Sequence, residues 1–206
     1  MFARSSTIHA QPAMIKAGIA YVRDTVMPAM SHIEGFVGLS LMVDRQTGRC
    51  IATSAWQTGQ EMRASAERVG PIRDAAAETF GGPAEVEEWE VVVMHRAHHA
   101  RPGTCMRATW TRTDPARAEE AVDVFKFGTL AKIEDLPGFC SASLMINRAE
   151  GRAVTTVGYD DRAALEASRE PGAAVRDEAA REAAVEVLEV AEFDLAIAHL
   201  HIPEMV

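Results

Sequence analysis

The two halves of this chain repeat each other, and nothing else in the sequence restricts its fold as much. Gly35-Phe36 recurs as Gly138-Phe139, an offset of 103 residues. At that offset Ser40-Leu41-Met42 falls on Ser143-Leu144-Met145, Gly48-Arg49 on Gly151-Arg152 and Arg73-Asp74 on Arg176-Asp177. Thr53 meets Thr156, Trp56 meets Tyr159, Arg4 meets Arg107 and Pro12 meets Pro115. After a one-residue adjustment, Trp89-Glu90 meets Phe193-Asp194 and His95 meets His199. One register with one gap across half a chain reads as a tandem duplication, and a repeat found first decides which architectures are admissible.

Each copy reads β-α-β-β-α-β. Short strands open the copies at Phe2–His9 and Cys105–Arg112. Pro12 and Pro115 then stand where a first helical turn tolerates a missing N–H, with Asp114 as an N-cap before the second. Ile15, Ile19, Val22 and Val26 share one helical face, and Ala118, Val122, Phe125 and Thr129 repeat it. The loops 44–48 and 147–151 end in glycine and join hairpin strands Phe36–Val43 and Arg49–Trp56, with counterparts in the second copy. A second helix follows from Gln60 to Phe80 and from Arg162 to Ala184, with breaks expected near Pro71 and Pro171. Last strands run through Val86–Met94 and Val190–Ala198.

This order is the split βαβ, ferredoxin-like arrangement. The expected fold class is α+β: two tandem ferredoxin-like domains, 1–95 and 105–206, with 96–104 as linker. One such sheet leaves a face uncovered, and two copies in one chain supply each other with a cover. The expectation is therefore an intramolecular dimeric α+β barrel, an internal pseudo-dimer for which further homodimerisation stays open. Phe36, Gly38, Ser40 and Met42 repeat as Phe139, Ser141, Ser143 and Met145, a face suited to a pseudo-symmetric contact or, alternatively, to a pocket wall.

Composition excludes several classes. A formal charge of −9 with scattered arginines argues against nucleic acid, which needs clustered Lys and Arg. No apolar run approaches a membrane span, and the first residues lack the pattern of a signal peptide. A cytoplasmic protein without membrane contact is expected. Cys50, Cys105 and Cys140 show no CxxC spacing and read as buried thiols. His95, His98, His99, His199 and His201 have irregular spacing that no carboxylate or cysteine completes, so no metal is expected. Neither a Ser-His-Asp order, a Walker loop nor GxGxxG after a strand occurs.

The opening strands (FARSSTIHAQP, MRATWTRTDP), the Gly-Phe approach to strand two (EGFVGLSLMVD, PGFCSASLMIN) and the aromatic closing strand three (TSAWQTGQEM, TVGYDDRAAL) resemble the antibiotic biosynthesis monooxygenase superfamily of dimeric α+β barrels. That resemblance implies a cofactor-independent monooxygenase acting on a small aromatic or quinol-type substrate. The haem-degrading branch carries an Asn, a Trp and a His at sites that here hold Ala3, Ser65 and Ala75, and Met106, Ser168 and Glu178 in the second copy. Haem degradation is therefore not expected.

Candidate site residues follow from type and position. Trp56, Tyr159 and Trp110 are candidate pocket aromatics, and His9, His95 and His199 are candidate bases near strand ends. Arg4 and Arg107 are candidate polar anchors for a bound acid or quinone, or partners of Glu90 and Asp194 in ion pairs between neighbouring strands. Alternatives to an oxygenase are a non-catalytic protein holding a small apolar ligand and a structural tandem barrel with no open site.

Overall fold

A computed structural model describes residues 1–200 and Met205. Strand β1 (Phe2–His9) passes through a 3-10 turn at Pro12–Met14 into α1 (Ile15–Tyr21), a π turn at Val22–Val26, and α2 (Met27–Ser31). Strands β2 (Phe36–Val43) and β3 (Arg49–Trp56) form a hairpin, followed by α3 (Gly59–Ala64), α4 (Ala66–Phe80) and β4 (Ala84–Arg96). The same series then occurs again. It comprises β5 (Cys105–Arg112), α5 (Ala118–Val124), a π turn at Phe125–Thr129, α6 (Leu130–Glu134), β6 (Phe139–Asn147), β7 (Arg152–Tyr159), α7 (Arg162–Ala167), α8 (Arg169–Glu182) and β8 (Glu186–Leu200).

Local chemistry fixes many of the boundaries. Thr58 accepts from the Glu61 N–H as the N-cap of α3 and donates its hydroxyl to the Glu61 carboxylate. Asp161 accepts from the Ala164 N–H at 2.8 Å and caps α7. The repeated Gly-Phe has a backbone cause. Gly35 and Gly138 sit at φ 76° and 65°, and a Cβ on Gly138 would lie 2.4 Å from that of Ala164.

Two compact units divide the described residues: Met1–Glu90 with Asp194–Leu200, and Val91–Phe193 with Met205. The first unit has the strand order β4-β1-β3-β2-β8 and the second has β8-β5-β7-β6-β4. Strands β4 and β8 run through both units, so each compact unit takes half of two strands, whereas the sequence copies, 1–95 and 105–206, end elsewhere.

The helix breaks fall at Ser65 and Ser168 rather than at the prolines, and Pro71 lies inside α4. The two serines are equivalent at the 103-residue offset; the two prolines are not. Each serine Oγ donates to the carbonyl three residues back, Met62 at 2.7 Å and Leu165 at 2.8 Å. An arginine from the opening strand reaches the same carbonyls, which the end of a helix leaves free.

Each unit has its own core. Ile15, Val22, Val26, Leu41, Trp56, Val69 and Phe80 belong to the first, and Val122, Phe125, Leu144, Val157, Tyr159 and Leu165 to the second. The faces read from helical spacing are the buried ones, including Thr129, whose hydroxyl donates to the Val124 carbonyl across the π turn.

Candidate functional site

Arg107 is the best-organised polar residue of the second unit. It is 6% exposed. Its Nε and Nη2 donate to Oε1 of Glu192 at 3.3 and 3.0 Å, and Nη2 also donates to the Leu165 carbonyl at 2.9 Å. Nη1 reaches the Ser168 carbonyl and hydroxyl and, at 3.2 Å, the Tyr159 hydroxyl. Glu192 also takes a bond from Arg169 at 2.7 Å. Partial burial raises its carboxyl pKa, but the bonds from Arg169 and Arg107 more than offset this and leave it below its ordinary value.

Arg4 repeats the arrangement in the first unit, with Glu88 at 2.9 Å, the Met62 carbonyl at 2.8 Å and Ser65 at 3.4 Å. The partners expected from sequence, Glu90 and Asp194, are both corrected. In the β1–β4 register Arg4 stands opposite Glu88, while Glu90 stands opposite Phe2. Asp194 lies in the first unit, where it pairs with Arg45 at 3.3 Å. Alternation puts residues two apart on the same face, so the sequence selects the face but leaves the register open.

A cavity of about 130 Å³ lies in the second unit beside this arginine. Its floor is one face of the sheet: Arg107 and Thr109 of β5, Leu144 of β6, and Thr155, Val157 and Tyr159 of β7. Its roof is helical, with Val122, Phe125 and Thr129 from the first helical stretch and Gly172, Val175 and Ala179 from α8. The lining is mostly apolar. Tyr159 supplies the distinctive polar group, because its hydroxyl accepts from Arg107 and donates to no other group among the described residues. Gly172 keeps this end open: a Cβ there would lie 3.0 Å from Arg107 Nη1 and 3.8 Å from the Tyr159 hydroxyl.

The structure brings two of the candidates, Arg107 and Tyr159, into the cavity wall and places the others elsewhere. Trp56, at the position equivalent to Tyr159, is fully buried in the first core, and its indole N–H donates to Ser54 at 3.1 Å. Trp110 meets Phe193 edge to face, with ring centroids 6.5 Å apart, and is absent from the lining. Its β5 neighbours Thr109 and Thr111 line the cavity, so alternation turns Trp110 to the opposite face.

None of the three histidines borders the cavity. His9 is exposed at the end of β1, and His199 is exposed on β8 opposite Leu39. His95 Nε2 lies 2.5 Å from the Glu134 carboxylate, and its ring stacks on Phe139. His98 faces Asp160 at 3.1 Å, and His201 lies outside the described residues. Among the described residues, no three His, Cys, Asp or Glu side chains gather to hold a metal ion, and no helix is long and apolar enough to cross a membrane.

Sequence reasoning missed Glu88, Glu192, Gly172 and the two serines as site builders. Two signals were available: Ser65 and Ser168 are an unchanged residue at matching helical positions, and Glu88 and Glu192 are one at matching strand positions after the one-residue adjustment.

The chain is 50% identical to the uncharacterised protein Rv2557 of Mycobacterium tuberculosis over 206 residues, which are all of this chain and 92% of that one. It is 51% identical to the uncharacterised protein Rv2558 of the same organism, again over all of this chain and 88% of the other. The chain belongs to the family of Rv2557 and Rv2558. No protein-family model matches it.

Solved structures extend the likeness of fold. A candidate monooxygenase of Lactobacillus acidophilus superposes with a TM-score of 0.70 at 13% identity, covering 97% of this chain and 96% of that one. An anthrone oxidase-like protein gives 0.66 at 14% identity, covering 97% and 90%. A Listeria monocytogenes ferredoxin-fold protein related to antibiotic biosynthesis monooxygenases gives 0.51 at 8% identity, covering 99% and 96%. This Rv2557 relative therefore shares the α+β fold of these solved structures.

Proposed function

We propose that the second unit binds a single-ring phenol or quinol and that the chain oxygenates it without a metal or an organic cofactor. The cavity ending at Tyr159 and Arg107 carries this reading. Its volume is close to the ~150 Å³ apolar cavity known to accept benzene, which favours one ring over the three of an anthrone. The apolar walls suit the ring, and the Tyr159 O–H is available to a hydroxyl or keto oxygen on its edge.

The oxygenase part draws on the likeness to monooxygenase folds. In such chemistry the deprotonated phenol itself reduces dioxygen, so that a ring C–H ortho or para to its oxygen (a CH2 in the keto tautomer) and O2 become a quinone carbonyl and water. Tyr159 is the group in the lining suited to exchange the substrate proton, because the wall holds neither histidine nor carboxylate. That same lack favours a second reading, in which the protein holds the quinol without transforming it.

Oxygen uptake with hydroquinone, catechol and their methyl derivatives separates the two. Consumption that exceeds an unfolded control and falls in Tyr159→Phe supports oxygenation. Saturable binding without consumption supports carriage. Neither binding nor consumption removes both readings for this substrate class.

The tandem duplication belongs to the same proposal. Two copies of one scaffold have diverged in their pockets while keeping the arginine, the acid and the serine that build the frame around them.

A further inference from the structure

The two halves differ at the places where the cavity lies. At the 103-residue offset, Ala183 of the cavity wall corresponds to Phe80, Gly172 to Val69 and Ala121 to Gly18. The alignment holds in the backbone as far as the helix end. Gly82 N–H donates to the Ala77 carbonyl, and the equivalent Val185 N–H donates to the equivalent Ala180 carbonyl. Phe80 and Val69 are 1% and 6% exposed, both in the first unit's core.

Phe80 packs against Gly18 closely. A Cβ at Gly18 would lie 2.3, 2.4 and 2.6 Å from three atoms of the Phe80 ring, distances that a side chain cannot occupy. A phenylalanine at this helix end therefore requires glycine on the facing helix. The second unit has alanine at both positions, and both alanines border the cavity.

We propose that this facing pair decides whether a unit has a ligand site. Ala121–Ala183, helped by Gly172, keeps the second site open, and Gly18–Phe80 shuts a latent equivalent in the first unit. That latent site would take the same class of small apolar ring. The Ala121 methyl also protects the open site, because it excludes the ring that would fill it. The part concerning the second unit rests on the proposed binding function; the latent site does not.

Fluorobenzene stoichiometry, measured by 19F NMR titration on folded full-length chains, tests both parts. Wild type is expected to bind one equivalent, Phe80→Ala two, and the double variant Ala121→Gly/Ala183→Phe none, with affinity down at least tenfold. Phe80→Leu, a smaller truncation, serves if Phe80→Ala does not fold and should give a second, weaker site. Ala183→Phe alone should unfold at a lower temperature than the double variant, since Ala121→Gly removes the clash.

One equivalent in both Phe80 variants overturns the latent site. Binding within twofold of wild type in the double variant overturns the role of the facing pair. If wild type binds none while Phe80→Ala binds one, the proposed function of the second unit fails and the latent site stands.

Discussion

Arg107 donates from Nε and Nη2 to a single carboxylate oxygen, Oε1 of Glu192, and with its remaining N–H groups holds Leu165, Ser168 and Tyr159. One guanidinium thus ties strand β5, strand β8, the break between α7 and α8, and the polar end of the cavity. Its planar fork of five donors makes this possible, whereas a lysine carries only three, all on one nitrogen.

Removing the carboxylate should therefore cost stability and alter its pH dependence. Glu192→Gln is expected to destabilise the protein by about 2 kcal/mol, since it leaves a buried guanidinium without its counter-charge. Glu88→Gln should cost less, because Glu88 is 42% exposed against 22% for Glu192. The pKa of Glu192 is depressed in the folded protein. Its contribution is therefore present above the unfolded carboxyl pKa and is lost as pH falls through the lower, folded value. Denaturant unfolding between pH 7 and pH 3 should show a shallower acid decline in Glu192→Gln than in wild type. Parallel curves would contradict this role.

Tyr159 offers a hydrogen bond to whatever occupies the cavity, and Tyr159→Phe removes it while keeping the ring. Hydroquinone affinity should fall about tenfold, or ~1.4 kcal/mol, while fluorobenzene affinity stays within twofold. Calorimetric titration of both ligands checks the difference. An equal loss for both would make Tyr159 a packing residue only.

Ala184 sits at φ 49°, where its counterpart in the first half is Gly81 at φ 84°. A non-glycine residue in this left-handed region costs roughly 1–2 kcal/mol, partly recovered by its lower chain entropy when unfolded. Ala184→Gly should stabilise the protein by about 0.5–1 kcal/mol, read as a shift in the urea midpoint at unchanged slope.

Cys50, Cys105 and Cys140 are buried thiols outside any disulfide, and burial pushes the Cys50 thiol up to about 11 and the Cys140 thiol upward as well. A raised pKa starves a thiol of its reactive thiolate. A chromogenic disulfide reagent at pH 8 should find almost no thiol in the native protein and three after denaturation.

Strands β1, β2, β3 and β5 were legible in the sequence to their end residues, because alternation, glycine turns and the repeat all agree there. The helix breaks were not. Pro71 and Pro171 carry the local signal, but Arg4 and Arg107 reach across from another element to the carbonyls at Met62 and Leu165, and that contact has no local mark. The arginine partners were missed by register, a quantity fixed by hairpin geometry and long-range pairing. The cavity was only half legible. The offset sets Ala183 against Phe80 and Gly172 against Val69, yet small residues leave a void only where the surroundings do not close over it.

The most direct test locates a bound ring. Intermolecular nuclear Overhauser contacts between hydroquinone protons and protein methyl groups would place it. The account predicts contacts to Val122, Val157 and Val175 of the second unit and none to Ile15 or Val69 of the first. Contacts confined to first-unit methyls, or saturating hydroquinone without contacts to these three valines, would contradict it.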